Sequence, residues 1–248
     1  MKNILFDTFQ FFLKVLDSLF PKSDNTIIFP LDSYKEYRGN RRFLFDSLSK
    51  FQEIDCVILF YNKENIVNKR YVNFYTLKGI IYWLRARYIV ISNGTGDIPF
   101  SHSIDYRRRR LVNIWHGISL KNLGYRIKDQ DEFSLELEFG KYDSMICSST
   151  LDSLAMQSCF KKAERNMWLT GLPRNDLLLF SDDQISKDLK KGLNWLDDKM
   201  GQKVMVLYMP TWRDNIDDNP TFSEEEIENI SNQIIDLVIN SFSATLRK

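Results

Sequence analysis

The residues best suited to chemistry lie in the run Leu111-Val-Asn-Ile-Trp-His-Gly-Ile-Ser-Leu-Lys121. Its apolar opening reads as a buried strand that delivers Trp115 and His116 to its C-terminal end. Gly117 then permits a sharp exit toward a helix. In open α/β sheets ligands bind in the crevice beyond the strand carboxyl ends, and an imidazole of ordinary pKa ~6.5 exchanges a proton near neutrality. Lys121, one helical turn on, sets positive charge beside an anionic group, and a helix N-terminus adds backbone N–H donors. The plainer alternative is an imidazole hydrogen-bonded to a loop carbonyl.

Two further motifs share one grammar of strand, Pro turn, Arg and Asp. Gly171-Leu-Pro-Arg-Asn-Asp176 places Arg174, Asn175 and Asp176 after a strand, where a guanidinium can hold a phosphate through two parallel hydrogen bonds. Tyr208-Met-Pro-Thr-Trp-Arg-Asp214 offers Thr211, Arg213 and Asp214 on the phosphate side of another strand end. An ordinary structured turn is the alternative for both. Asn93-Gly-Thr-Gly-Asp97 resembles a dinucleotide loop only briefly, because Pro99 occupies the third glycine position. Arg107 to Arg110 form a four-arginine run, and Arg38, Arg41 and Arg42 a second basic group. Such runs are either solvated faces or contacts for a polyanionic acceptor or anionic lipid heads.

The elements that must position these residues alternate along the chain. Apolar, β-rich runs fall at 26–29, 55–61, 88–92, 111–115, 144–147, 167–170 and 204–208, with helical stretches near 39–51, 74–86, 150–162, 182–199 and 223–246. Strands apolar throughout and separated by helices indicate a parallel sheet covered on both faces. The expected organisation is an amphipathic helix over 1–21, a Rossmann-like domain over 22–180, a helical connector over 181–200, and the start of a second domain over 201–248. In the first helix Leu5, Phe9, Phe12, Leu16 and Leu19 form an apolar stripe. It either packs on the domain behind it or lies in a membrane interface. Asp7, Lys14 and Asp17 break the apolar stretch a secretory signal needs.

Composition closes several routes. With 34 Lys plus Arg against 33 Asp plus Glu the net charge is +1, so a polycation built for nucleic acid is excluded as a class. Two histidines, His102 and His116, cannot build a histidine-rich metal centre. Cys56, Cys147 and Cys159 lack CxxC spacing and give neither a zinc knuckle nor a disulfide framework. No cofactor and no metal site are legible.

Taken in order, Trp115-His116-Gly117 with Leu120-Lys121, then Gly171-x-Pro-Arg-Asn-Asp176, then Tyr208-x-Pro-Thr-Trp-Arg-Asp214 resemble the CDP-glycerol glycerophosphotransferase family of teichoic acid and capsule polymer synthesis. The resemblance covers roughly residues 26 to 214, and the segment 37–48 and the strand 88–92 share in it. It implies a GT-B-like α/β architecture of two Rossmann-like domains facing a cleft. It also implies transfer of glycerol phosphate, or a related alditol phosphate, from CDP-glycerol to a hydroxyl of a lipid-linked acceptor, with CMP leaving. His116 takes the place of the family's first catalytic histidine, as base. The implied partners are a CDP-alditol, a lipid-linked polyol-phosphate or glycan acceptor, and an anionic membrane surface on the cytoplasmic side, with no nucleic acid. Trp212 stands where Phe is commoner. The family's second histidine, in a His-Pro context, and its acidic, serine-rich donor loop have no counterpart before Lys248. The expectation is therefore a C-terminally truncated member: an acceptor domain plus the first βα unit of a donor domain. The alternatives are a non-catalytic acceptor-binding remnant and a GT-B glycosyltransferase that uses a nucleotide-sugar.

Overall fold

The computed structural model describes residues 2–31, 37–60, 71–118, 122–201, 228, 229 and 233. Seven strands form one sheet: β1 (Ser23–Pro30), β2 (Asp55–Phe60), β3 (Tyr71–Asn73), β4 (Ala86–Ile91), β5 (Arg110–Asn113), β6 (Ser144–Cys147) and β7 (Met167–Leu169). Their order is β3-β2-β1-β4-β5-β6-β7, and every neighbouring pair is parallel. The helices are α1 (Lys2–Leu19), α2 (Gly39–Leu48), α3 (Leu77–Arg85), α4 (Glu132–Phe139), α5 (Thr150–Phe160) and α6 (Lys187–Met200). The chain divides into two compact units, 1–187 and 188–248. The second is described through the rest of α6 and at the helical residues Glu228, Asn229 and Gln233.

Side chains alternate across the sheet with period two, which sorts the strand residues into two cores. Ile28, Ile89, Leu111 and Met145 pack on one face with Leu13 of α1, Trp83 and Leu84 of α3, and Met156 and Phe160 of α5. Phe29, Val90, Val112 and Ile146 pack on the other with Phe45 of α2 and Leu172. Coverage of both faces explains why these strands are apolar without interruption. Gly79 lets α3 descend onto the end of β3, since a Cβ there would lie 2.1 Å from the Asn73 carbonyl oxygen. All three cysteines are buried, and none forms a disulfide.

The first helix packs and is exposed at once. Leu13 and Asp17 are buried and Phe9 and Leu16 lie against the core, while Phe11, Phe12, Val15 and Leu19 face solvent. The stripe drawn from sequence is thus split, with Phe12 and Leu19 on the open side. Asp17 is the anchor. Its carboxylate accepts from Arg109 Nη2, from Lys22 Nζ at 2.7 Å and from the Asp105 N–H at 2.9 Å.

The four-arginine run is divided: Arg107 and Arg110 are exposed, as a solvated face would have them, while Arg108 and Arg109 turn into the fold. Arg109 is buried over the Trp83 ring, 5.4 Å from its centroid. Arg108 donates to the carbonyls of Asp17 (2.9 Å), Ser18 and Phe20 (3.1 Å). These carbonyls close a helix that carries no basic residue in its last turn. Arg107 pairs with Asp105 and Arg110 with Asp143. In the second basic group, Arg41 is buried against Asp97 at 3.2 Å.

Candidate active site

Strand order reverses between β1 and β4, so the crevice of this sheet opens at the carboxyl ends of the strands around that point. Next to it, β5 ends at Asn113, two residues earlier than its apolar run. The Asn113 side chain makes the exit: its Oδ1 accepts from the Trp115 N–H at 2.8 Å, and its Nδ2 donates to the Asn93 carbonyl at 3.2 Å. This local side-chain turn competes with continued strand pairing. Trp115 follows with φ +43°, a left-handed conformation costly for a bulky residue. Its indole compensates by packing edge-on against Phe160, with centroids 5.2 Å apart.

The turn throws His116 outward. Its imidazole stacks on the Trp115 ring with centroids 4.4 Å apart, and the residue is exposed. Partial desolvation by its neighbours, and then the positive charge of Arg174, hold its pKa below the ordinary histidine value. Arg174 comes from the turn 173–179, which Pro173 starts. Its Nη1 donates to the His116 carbonyl at 2.8 Å. A side-chain carbon on Gly117 would meet Arg174 Nη2 at 3.3 Å, so the glycine leaves room for the guanidinium.

Of the residues singled out in the sequence, the structure brings together Trp115, His116, Gly117 and Arg174. Asn175 and Asp176 follow in the same turn and are exposed. The expected helix after Gly117 is absent among the described residues: Ile118, Asn122 and Leu123 are irregular, and the next element is a short 3₁₀ turn, Gly124–Arg126. Lys121 lies outside the described residues, as do Thr211, Arg213, Asp214 and the strand expected at 204–208.

Two groups near the crevice went unread in the sequence. Asn40, on the first turn of α2, donates through Nδ2 to the carbonyls of Ile114 and Trp115, both at 3.1 Å, and accepts from the Arg174 N–H at 3.3 Å. Glu138 of α4 accepts from the Thr95 N–H at 2.6 Å, from the Thr95 hydroxyl and from the Tyr142 hydroxyl at 2.9 Å. Burial opposes ionisation of Glu138, but these donors and Lys141 outweigh it and lower its pKa. Asp97 likewise gathers the N–H groups of Ser92 and Asn93 at 3.0 and 3.1 Å. The loop after β4 is therefore closed by its own carboxylate. No cluster of three or more potential metal ligands occurs among the described residues.

The fold is thus α/β, a parallel sheet with an exposed imidazole and a guanidinium at its carboxyl edge. Residues 12–238 match the family described as CDP-Glycerol:Poly(glycerophosphate) glycerophosphotransferase, and the chain belongs to that family. It is 26% identical over 220 residues to a teichoic acid poly(glycerol phosphate) polymerase of Bacillus spizizenii, covering 79% of this chain and 52% of that protein. It is also 26% identical over 232 residues to the teichoic acid ribitol-phosphate polymerase TarL of Staphylococcus aureus, covering 84% and 38%. The chain therefore spans about half the length of such relatives, or less. Among solved structures, the wall teichoic acid polymerase TagF superposes with a TM-score of 0.61 at 18% identity, over 86% of this chain and 55% of that one. A TagF variant soaked with CDPG gives 0.66 at 19% identity, over 95% and 60%. These likenesses bear out the α/β, GT-B-like reading of the fold.

Proposed function

We propose that this chain carries the acceptor side of an enzyme that transfers glycerol phosphate, or a related alditol phosphate, from CDP-glycerol to a hydroxyl of a lipid-linked teichoic-acid-type or capsule acceptor. The observation that carries the reading is His116: an exposed imidazole at the carboxyl end of β5, with its pKa held down and Arg174 beside it. A neutral imidazole accepts the proton of the incoming hydroxyl as the oxygen attacks the alditol-bearing phosphorus. The new P–O bond forms, the bond to the CMP oxygen breaks, and CMP leaves with that electron pair. Such transfer depends on positioning and charge neutralisation more than on covalent chemistry. Trp115 and Gly117 shape the acceptor side, and Arg174, Asn175 and Asp176 border it. Lys121, Thr211, Arg213 and Asp214 are assigned to the phosphates on motif position alone.

The open face of α1 supports membrane contact. Phe11, Phe12, Val15 and Leu19 present an apolar stripe of the kind that enters a headgroup boundary, and the partner is an anionic bilayer on the cytoplasmic side. No helix among the described residues is long and apolar enough to cross a membrane.

The test is CMP release from CDP-glycerol with a lipid-linked acceptor analogue, comparing the chain with His116→Ala. Turnover that falls by about 10²–10⁴ in the variant supports the base role. Turnover equal in both proteins overturns it. Acceptor binding with neither turnover nor CDP-glycerol binding makes the chain an acceptor-binding module instead.

A further inference from the structure

Asn40 is buried beneath the crevice, yet its amide is spent on backbone groups from two distant segments. One side chain meets both strands of the problem. Its Nδ2 holds the carbonyls of Ile114 and Trp115, the two residues that precede His116. Its Oδ1 holds the N–H of Arg174, whose guanidinium returns to the His116 carbonyl. The path Asn40–Trp115–His116–Arg174–Asn40 is a closed ring of hydrogen bonds and chain, drawn from α2, the β5 exit and the turn after β7. An asparagine suits this ring because only a primary amide offers two donors and an acceptor in one short, planar group.

From this geometry we infer that Asn40 is a positioning residue: it fixes the Arg174 guanidinium against the His116 segment and so sets the environment of the imidazole. The inference rests on the reading of His116 as base for its importance, but not for its test. The Ile114 and Trp115 carbonyls lie where β5 has left the sheet, and Trp115 is held left-handed. Without Asn40 those carbonyls lose their donors, and the exit loses the restraint that offsets its backbone strain. The Arg174 turn loses its tie to α2 in the same step. The charge acting on the imidazole is that of Arg174, so freedom gained by this turn is felt directly at the ring.

The experiment is a histidine-selective NMR titration of the full chain, which has only His102 and His116. His116→Gln assigns the two resonances, and exposed His102 serves as internal reference. In Asn40→Ala the His116 midpoint rises toward the ordinary histidine value while that of His102 stays fixed. The decisive arm is a cycle with Arg174→Met. If Asn40 acts by holding Arg174, Asn40→Ala adds no further rise in the Arg174→Met background. An unchanged His116 midpoint in folded Asn40→Ala overturns the proposal, as does an equal added rise in both backgrounds. Near-UV circular dichroism reports folding, and where Asn40→Ala does not fold, Asn40→Ser reads the same cycle. Loss of CMP release does not enter this measurement, so failure of the catalytic reading and failure of the positioning role are separately visible.

Discussion

Replacing Asp17 by alanine strands two cations in one step. Arg109 and Lys22 both rest on this carboxylate, and the side chains of Asp17, Arg109 and Lys22 are 1%, 0% and 4% exposed. Breaking a buried ion pair by deleting one partner costs about 3–5 kcal/mol, because the remaining charge stays desolvated. The Asp105 N–H also loses its acceptor. Part of the loss is absorbed locally: Arg109 keeps the Ala86 carbonyl and the Trp83 ring, and Lys22 keeps the carbonyl of Leu84 at 2.7 Å. The expected cost of Asp17→Ala is therefore about 3 kcal/mol, the lower end of that range. At about 2–4 °C per kcal/mol for a domain of this size, the midpoint falls by roughly 6–12 °C. Thermal and urea unfolding read by tryptophan fluorescence are the assays, since Trp83 lies under Arg109. Arg109→Met in the Asp17→Ala background should recover part of the loss, because it removes a stranded charge while keeping most of the packed volume. A cost below about 1 kcal/mol, the range of an exposed pair, would refute the view that this cluster bolts α1 to the sheet.

Two other outcomes follow from the same helix. Changing Phe11, Phe12 and Leu19 together to serine should abolish cosedimentation with anionic vesicles while moving stability by only about 0.5 kcal/mol per site, as surface changes do. Undiminished vesicle binding would remove α1 from the membrane face. The second concerns pH. Burial, and then the charge of Arg109, lower the Lys22 pKa from 10.5 to about 8 despite its bond to Asp17. Between those values the unfolded chain binds more protons than the folded one, so this group adds stability as pH rises from about 8 toward 10.5. Urea midpoints taken from pH 7.5 to 9.5 should therefore rise in the wild type relative to Lys22→Met, and parallel profiles would contradict the burial of that ammonium.

The sequence and the structure agree where one period governs a whole element. Ile28 beside Phe29 and Ile89 beside Val90 gave continuous apolar runs, and each pair divides between the two cores. The strand Tyr71–Asn73 has Val72 as its one buried residue, between a tyrosine and an asparagine, and carries too little apolar pattern to be read. Helix α4 buries none of its residues, so its sequence has no apolar face to betray it. The arginine run was legible only in part, for a different reason. A row of like charges says nothing about partners about ninety residues away, and Arg109 finds its partner only after α1 has docked. At the site, a histidine at a strand end was legible from Leu111 to Gly117. The left-handed Trp115 was not, since nothing in a tryptophan announces φ +43°. Asn40 was hidden most completely: its ligands are backbone carbonyls of residues 114 and 115, and backbone atoms leave no signature in sequence.

The division of α1 into a bolted face and an open face bears on how a membrane and a reacting hydroxyl can meet. An apolar helix on a flexible tether brings a domain to a surface without orienting it. Here Asp17 fixes the helix to Arg109, the residue immediately before β5, and His116 stands at the other end of that same segment. Six residues lie between them, a span of roughly 23 Å if fully extended at the rise of a strand. On the proposed reading of α1 as a membrane contact, the Phe11, Phe12 and Leu19 face is tied through Asp17 to the segment that ends at the imidazole, so that contact would set the height of the crevice as well as its location. On that same reading, a lipid-linked acceptor would be sorted by whether its hydroxyl reaches that height, a selection made by the sheet and requiring no contact with the lipid itself.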